Sequence, residues 1–178
     1  MRSAPLVLMA LCLVLCLACT PDALQKQIRF SQAELQEKVD KVFPVEEKKS
    51  LLQARFSDPE ILLRDGGDRI GLGLAVSVRL PGGKRLHGTL QIDSGLRYVP
   101  ERGEVVLDDP QLQHLAMDGV PGGLDSILRS VAEVVARRHV TQIPIYRLHA
   151  DDYQKSLTRL VLKSVSVQDG DVIATIGL

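Results

Sequence analysis

The fold is set most clearly by residues 70–80, whose sequence is IGLGLAVSVRL. Every second residue from Ile70 to Leu80 is large and aliphatic, whereas the residues between them are small or polar. Because side chains alternate between the two faces of a strand, this pattern predicts a β-strand with one buried face. An aliphatic face of this kind needs a covering layer, which the rest of the chain must supply.

The flanking segments predict further strands of the same sheet. Residues 51–64 change the phase of their apolar positions across Asp58-Pro59, which indicates a bulge or an edge. Turn sequences at 65–68 (DGGD) and 81–83 (PGG) make the strands on either side antiparallel neighbours. Residues 85–98 place Leu86, Leu90, Ile92, Leu96 and Tyr98 on an apolar face, opposite Arg85, His87, Thr89, Gln91, Asp93 and Arg97. A last strand begins at residues 104–107, and Pro110 interrupts a continuation through Leu115.

Two segments with helical periodicity flank the meander. Ser31 and Glu34 have capping-box spacing, and Pro44 ends the helix that they begin. Residues 124–135 predict a long amphipathic helix that covers the sheet, with Asp125 at its start and a basic end at 137–139, as the helix dipole favours. The apolar stripe of the first helix is Leu35, Val39, Val42 and Phe43, and that of the second is Leu124, Ile127, Leu128, Val131, Val134 and Val135.

The remaining chain predicts an extended segment at 143–146, a third helix from Asp151, and a terminal hairpin around Asp169-Gly170. The third helix would place Tyr153, Leu157, Leu160 and Val161 on one face. The predicted fold class is therefore α+β: a strongly curved antiparallel β-sheet meander wrapped around a long amphipathic helix, with an N-terminal helix and a C-terminal helix plus hairpin. Four glycines, Gly71, Gly73, Gly88 and Gly95, permit the sheet to bend.

The first residues predict an export signal. Arg2 precedes an apolar run at 6–18, which as a helix spans about 20 Å, too short for a hydrocarbon core of about 30 Å. Residues 17–20 (LACT) resemble a bacterial lipobox, which implies acylation of Cys19 and a membrane anchor of two or three acyl chains. Thr20 in place of Asp implies the inner leaflet of the outer membrane in a Gram-negative bacterium. The alternative is an uncleaved membrane anchor or a buried helix.

This organisation divides the chain into a signal peptide at 1–18, an acylated cysteine and short tether at 19–27, and one domain at 28–178.

Balanced charge, with 22 basic and 22 acidic residues, and only 3% aromatic residues argue against nucleic acid as a partner. All three cysteines lie at or before Cys19, so the mature domain has no cysteine nucleophile.

The sequence contains few candidate catalytic or metal-binding motifs. Gly71-Leu72-Gly73 lies within a strand and lacks the third glycine of a dinucleotide loop. His149 beside Asp151 and Asp152 is a weak metal candidate, because a helix start explains the acidic pair. His87, His114 and His139 are expected at the surface. We therefore expect no enzymatic activity, no cofactor and no metal site.

The aliphatic interior is the main functional candidate. A curved sheet covered by a helix can either be filled by its own side chains or leave a groove for a flexible acyl chain, such as that of a fatty acid. The groove would be lined by Leu72, Leu74, Val76, Val78, Leu90 and Ile92 from the sheet and by Ile127, Leu128, Val131 and Val135 from the helix.

Residues 28–176 resemble the YceB-like lipoproteins, an uncharacterised family. The similarity is carried by three short motifs: Ile28, Phe30, Ser31, Glu34 and Leu35 in the first; residues 103–107 in the second; and Gln142, Pro144, Tyr146 and Leu148 in the third. The resemblance implies half of a tubular lipid-binding (TULIP) fold, whose members carry lipids in an apolar groove. The expected function is a periplasm-facing lipoprotein that binds or shuttles a lipid. The alternative is a structural or assembly lipoprotein with a filled core that binds an envelope protein.

Overall fold

The computed structural model describes residues 25–49, 51–120, 123–141, 143–147 and 161–177. These residues form two antiparallel sheets and two helices. The elements in chain order are β1 (Gln25–Ser31), α1 (Gln32–Asp40), β2 (Val45–Lys49), β3 (Leu52–Leu62), β4 (Ile70–Arg79), β5 (Arg85–Val99), β6 (Glu104–Met117), α2 (Asp125–Val135), β7 (Pro144–Arg147), β8 (Val161–Gln168) and β9 (Asp171–Gly177). A π-helical turn (Ala136–Val140) extends α2.

The larger sheet is a meander with the strand order β2-β3-β4-β5-β6-β7. Its strands pair in sequence order, as the short turns predict, and the α+β fold class is confirmed. Helix α2 packs against both β2 and β6. In a flat sheet those two strands would lie about 19 Å apart, farther than a helix about 10–12 Å wide can bridge. The sheet therefore curls into a half-barrel around the helix.

The alternating pattern of residues 70–80 is confirmed in β4. Ile70, Leu72, Leu74, Val76 and Val78 are all buried at 4% exposure or less. The predicted irregularity in the preceding strand is also confirmed, because the pairing of β3 with β4 shifts between Ser57 and Glu60. Asp58 has a positive φ of 52° at this bulge, which accounts for the change of apolar phase.

The predicted interruption at Pro110 takes the form of a bulge within β6, which continues beyond the predicted Leu115 to Met117. Asp93 pairs with Gln111 and Gly95 pairs with Asp108, so Asp109 and Pro110 together oppose a single residue of β5. A proline is tolerated at such a bulge because the extra residue needs no ladder hydrogen bond.

Helix α1 begins as its capping box predicts. The Glu34 backbone N–H donates to Ser31 Oγ at 3.2 Å, and the Ser31 backbone N–H donates to Glu34 Oε2 at 2.8 Å. The helix ends at Asp40, before the predicted stop at Pro44, and the backbone N–H groups of Val42 and Phe43 turn back to the Val39 carbonyl. Phe43 lies beyond the helix but is buried at 6% exposure, so its predicted burial is confirmed.

The smaller sheet has the order β1-β9-β8 and contains the predicted terminal hairpin. Strand β1 begins within the predicted tether, because Gln25, Lys26 and Gln27 already pair with β9. Val161 is also corrected: it lies in β8 at 49% exposure rather than in a third helix. The other residues of that predicted helix lie outside the described residues.

The two sheets share one hydrophobic core. Phe30, Val167, Val172 and Ile176 of the smaller sheet belong to the same buried cluster as the apolar faces of β4 and β5. Backbone hydrogen bonds also join the sheets, because Gly66 N–H donates to the Val167 carbonyl at 2.9 Å and Val167 N–H donates to the Gly67 carbonyl at 2.8 Å. The predicted turn at 65–68 thus attaches the smaller sheet to one end of the half-barrel.

Candidate functional site between the curled sheet and helix α2

The predicted groove residues come together inside the half-barrel. Nine of the ten are buried at 5% exposure or less in one hydrophobic cluster: Leu72, Leu74, Val76, Val78, Leu90, Ile92, Leu128, Val131 and Val135. They come from two adjacent strands, β4 and β5, and from the face of α2 that lies against the sheet. Their contact with a ligand stays a prediction.

Ile127 is the exception among the predicted groove residues, because it is 36% exposed. The buried stripe of α2 consists of Leu128, Val131, Ala132 and Val135, which are spaced as i, i+3, i+4 and i+7. Ile127 precedes this stripe by one residue, about 100° around the helix, and therefore lies at its edge. Ala132 was not predicted to be buried, because the predicted stripe contained only large aliphatic residues.

A cleft of about 260 Å³ lies between the end of β6 and the start of α2. Leu115, Met117 and Leu128 form its apolar wall, and Asp125, Ser126 and Arg129 complete its lining. Leu128 belongs to the core, and Leu115 and Met117 pack against that core, so the apolar wall is continuous with the interior. No sequence pattern predicts this cleft, because its walls come from β6 and α2, which meet only in the folded chain.

Gly88 lets β6 approach closely at the cleft. Gly88 pairs with Met117, and a Cβ at position 88 would lie 2.5 Å from Met117 Sδ and 2.9 Å from Met117 Cα. It would also overlap the carbonyl oxygen of Ala116. The missing side chain therefore leaves the space in which Met117 forms the cleft wall.

An ionic cluster holds the other end of α2 to the edge of the sheet. Arg138 Nη1 donates a hydrogen bond to Glu47 Oε1 on β2, and His139 Nε2 lies 3.1 Å from the same oxygen. The hydrogen bond from His139 and then that from Arg138 lower the pKa of the Glu47 carboxyl below its ordinary value. Nearer the start of α2, Lys49 Nζ donates to Ser130 Oγ at 2.5 Å. These contacts fix the helix along β2.

A second charged cluster lies where β4 and β5 meet the turn at 65–68. Asp93 was predicted on the polar face, yet it is only 7% exposed. Arg64 Nη1 lies 3.3 Å from Asp93 Oδ2, and Arg69 Nη2 donates to the Asp93 carbonyl at 3.0 Å. Arg69 also pairs with Asp109 at 3.2 Å, which ties β4 to the bulge of β6. Arg64 therefore pairs with one oxygen of the buried carboxylate, whereas Asp93 Oδ1 has no hydrogen-bond partner among the described residues.

The other predicted candidates are either exposed or outside the described residues. His87 and His114 are exposed, whereas His139 is half-buried against Glu47. Cys19, His149, Asp151 and Asp152 lie outside the described residues. Within the described ranges, no three His, Cys, Asp or Glu side chains are grouped closely enough to hold a metal ion. The helices in those ranges include none that is both long and apolar enough to cross a membrane.

The fold and the site together define an α+β domain in which a half-barrel sheet encloses an amphipathic helix. A family profile matches residues 30–171, and the chain belongs to DUF1439, a protein family of unknown function. No curated protein matches the chain significantly. The match identifies the family only, so the resemblances to YceB-like lipoproteins and to the TULIP fold stay predictions.

Proposed function

We propose that the protein is an envelope lipoprotein, anchored at Cys19, whose half-barrel binds or shuttles a lipid or another apolar ligand without catalysis. The observation that carries this proposal is the cleft between β6 and α2, whose apolar wall continues into the core. Binding pockets for small molecules combine an apolar lining with a few polar groups, and the cleft contains both, with three apolar and three polar residues.

The size of the cleft limits what it can hold in this conformation. About 260 Å³ is slightly below the range of about 300–1,000 Å³ typical of ligand pockets. It therefore fits the end of an acyl chain rather than a whole lipid. A longer ligand would enter by moving the start of α2 away from β6, since the hydrogen bonds from Lys49 to Ser130 and from Arg138 to Glu47 hold the helix on the β2 side.

Ligand carriage is tested with a chain that starts at Thr20, which keeps every described residue, purified from cells and analysed by native mass spectrometry. We expect a co-purifying lipid and saturable binding of a fluorescent fatty acid. Ser126→Trp places a large ring in the cleft and should weaken both signals. Ser164→Trp, at an exposed position on β8, is the matched control and should leave them unchanged. The carrier hypothesis fails if no lipid co-purifies and the probe shows no saturable binding.

A structural or assembly role is the second candidate, and the burial of nine predicted groove residues favours it. Side chains at 5% exposure or less already fill the space that a ligand would need. In that case the outer surface would bind an envelope protein. Crosslinking in cells that yields one dominant envelope partner, together with negative lipid measurements, would support this role.

The anchor is tested separately from the ligand. The lipobox resemblance assigns acylation to Cys19, and the following Thr20 favours the inner leaflet of the outer membrane. Cys19→Ser should release the protein from the membrane fraction if acyl chains hold it there. Unchanged retention in membranes would instead indicate an uncleaved helix and would contradict lipidation as the anchor.

A further inference from the structure

Three segments meet at the end of the half-barrel that lies away from the smaller sheet. Lys49 pairs with Leu52 at the β2–β3 turn, and Arg79 pairs with Arg85 at the β4–β5 turn. The register of β3 with β4 and of β5 with β6 places these turns and the end of β6 at the same end of the sheet. The described residues among 48–51, 79–85 and 117–130 are called the basic tip.

The charge of the basic tip differs from that of the chain as a whole. The whole chain has 22 basic and 22 acidic residues, whereas the basic tip has six basic residues against Asp118 and Asp125. All six basic side chains are exposed: Lys48, Lys49, Arg79, Lys84, Arg85 and Arg129. This excess produces a positive potential that attracts an anionic surface.

The opposite end of the molecule has the reverse charge. The β3–β4 turn, the β8–β9 turn and the first residue of β9 contain Asp65, Asp68, Asp169 and Asp171 against Arg64 and Arg69 and against Arg29 of β1, which pairs with Asp171. An 11-residue strand such as β3 spans about 35 Å, so the two ends are well separated. An anionic surface would therefore attract the basic tip and repel the other end, which orients the molecule.

The basic tip also exposes aliphatic side chains among its charges. Leu51, at the β2–β3 turn, is 80% exposed, and Ile127 of α2 is 36% exposed. The Lys49–Ser130 contact brings the β2–β3 turn to the helix on which Ile127 lies. Exposed aliphatic groups surrounded by lysine and arginine are the combination that binds the headgroup region of an anionic bilayer.

We propose that the basic tip docks onto an anionic lipid bilayer, with Leu51 and Ile127 entering the headgroup region and the basic residues contacting lipid phosphates. The smaller sheet and the basic tip lie at opposite ends of the molecule. The first described residue, Gln25, belongs to the smaller sheet and is therefore remote from the basic tip. With the anchor at Cys19 that the proposed function assigns, the docked bilayer would be a different one from the bilayer that holds the N-terminal segment. The inference rests on that anchor but goes beyond the proposed ligand binding, because docking does not require a hollow interior.

Docking is tested by reconstituting the full-length protein in neutral phosphatidylcholine vesicles and adding fluorescent vesicles that contain phosphatidylglycerol. We expect capture of the anionic vesicles and little capture of neutral ones. Capture should be lost in about 0.5 M salt, because salt screens exposed charges. Lys84→Glu with Leu51→Asp should reduce capture by about tenfold or more. The matched control is Lys163→Glu with Val161→Asp on β8, which should capture normally. With protein that is shown to remain on the neutral vesicles, docking at the tip is excluded by equal losses in the two double variants, by no capture at all, or by equal capture of neutral vesicles.

A second measurement does not depend on weakening the interaction. The chain contains no Trp, so Leu51→Trp introduces a single reporter at the tip, and Val161→Trp introduces one at a remote exposed site. Anionic vesicles should shift the emission of the first variant to the blue and leave the second unchanged. An unshifted emission at position 51, with vesicles present in excess, would overturn the proposal. Capture that persists without this shift would indicate contact with another surface of the protein.

Discussion

Gly88 illustrates how one missing side chain sets the approach of two strands. A Cβ at this position would lie 2.5 Å from Met117 Sδ and would overlap the Ala116 carbonyl oxygen. The backbone atom cannot move aside as a flexible side chain can, so Gly88→Ala must separate β5 from β6. We expect Gly88→Ala to lower the free energy of unfolding by about 2–3 kcal/mol, measured by urea denaturation.

Gly73 is the matched control, because it is a strand glycine with ordinary contacts. The nearest atoms to a Cβ at Gly73 are 3.7 Å away. Gly73→Ala should therefore change stability by less than about 1 kcal/mol, and the lower conformational entropy of the unfolded chain favours the alanine. If both variants lose the same stability, the close approach at Gly88 is not the cause.

Glu47 should make stability depend on pH. Hydrogen bonds from His139 and Arg138 lower the pKa of the folded Glu47 carboxyl below its ordinary value of 4.5. The ionised group therefore stabilises the fold above that pH, and the contribution is lost as the pH falls through the lowered pKa. Glu47→Gln should lower the free energy of unfolding by about 1–2 kcal/mol near neutral pH and by progressively less in acid. Urea denaturation at several pH values measures this difference.

Glu37→Gln controls for the general loss of a carboxylate. Glu37 pairs with Lys41, but both side chains are about two-thirds exposed, at 67% and 64%. Exposed pairs of this kind contribute little, so Glu37→Gln should leave stability nearly unchanged at every pH. A loss for Glu47→Gln that is equally large in acid would contradict the assignment of the effect to the ionised carboxylate.

These residues show which contacts the sequence can predict. The capping box of Ser31 and Glu34 is local, so three-residue spacing was sufficient to predict it. Glu47 and His139 are 92 positions apart, and their contact follows from the curl of the sheet, which sets where α2 meets β2. The alternation of β5 correctly placed Asp93 on the polar face. Its burial was not predicted, because Arg64 and Arg69, which contact it, come from a turn distant in sequence.

At the level of elements, α2 has one buried stripe and an edge that is exposed. Leu128 is 5% exposed and Ile127 is 36% exposed, although the two aliphatic residues are adjacent. Leu128→Ala should lower the free energy of unfolding by about 2–4 kcal/mol, because it leaves a cavity in the core. Ile127→Ala should cost less than about 1 kcal/mol by the same thermal or urea measurement. A larger loss at position 127 would contradict the observed orientation of the helix.

Elements were predicted best where a pattern extended over many residues. The alternation in β4 and the helical stripe of α2 each rest on repeated contacts with one core, so both were predicted from sequence. Strand β1 was missed because only Ile28 and Phe30 alternate in it, and it becomes a strand by pairing with β9 at the other end of the chain. The interruption at Pro110 was predicted, but its form as a bulge was not, because the bulge depends on the register of the neighbouring strand.

At the scale of the whole molecule, the shared core makes the two sheets one cooperative unit. Val172 of β9 is fully buried in the cluster that also contains Val76 of β4. The turn at 65–68 adds backbone hydrogen bonds between the sheets. Because one sheet cannot lose its packing without exposing the other, we expect a single unfolding transition rather than separate melting of the smaller sheet.

Hydrogen exchange tests this coupling directly. Val172→Ala should destabilise the fold by about 1–3 kcal/mol, and amides in the centre of β4 should then exchange faster by the same factor as those in β9. Val161→Ala, at an exposed position on β8, should change neither. Faster exchange confined to β1, β8 and β9 would mean that the smaller sheet opens alone. In that case the half-barrel is the independent unit, and residues 25–27, predicted as part of the tether, belong to a segment that can detach from it.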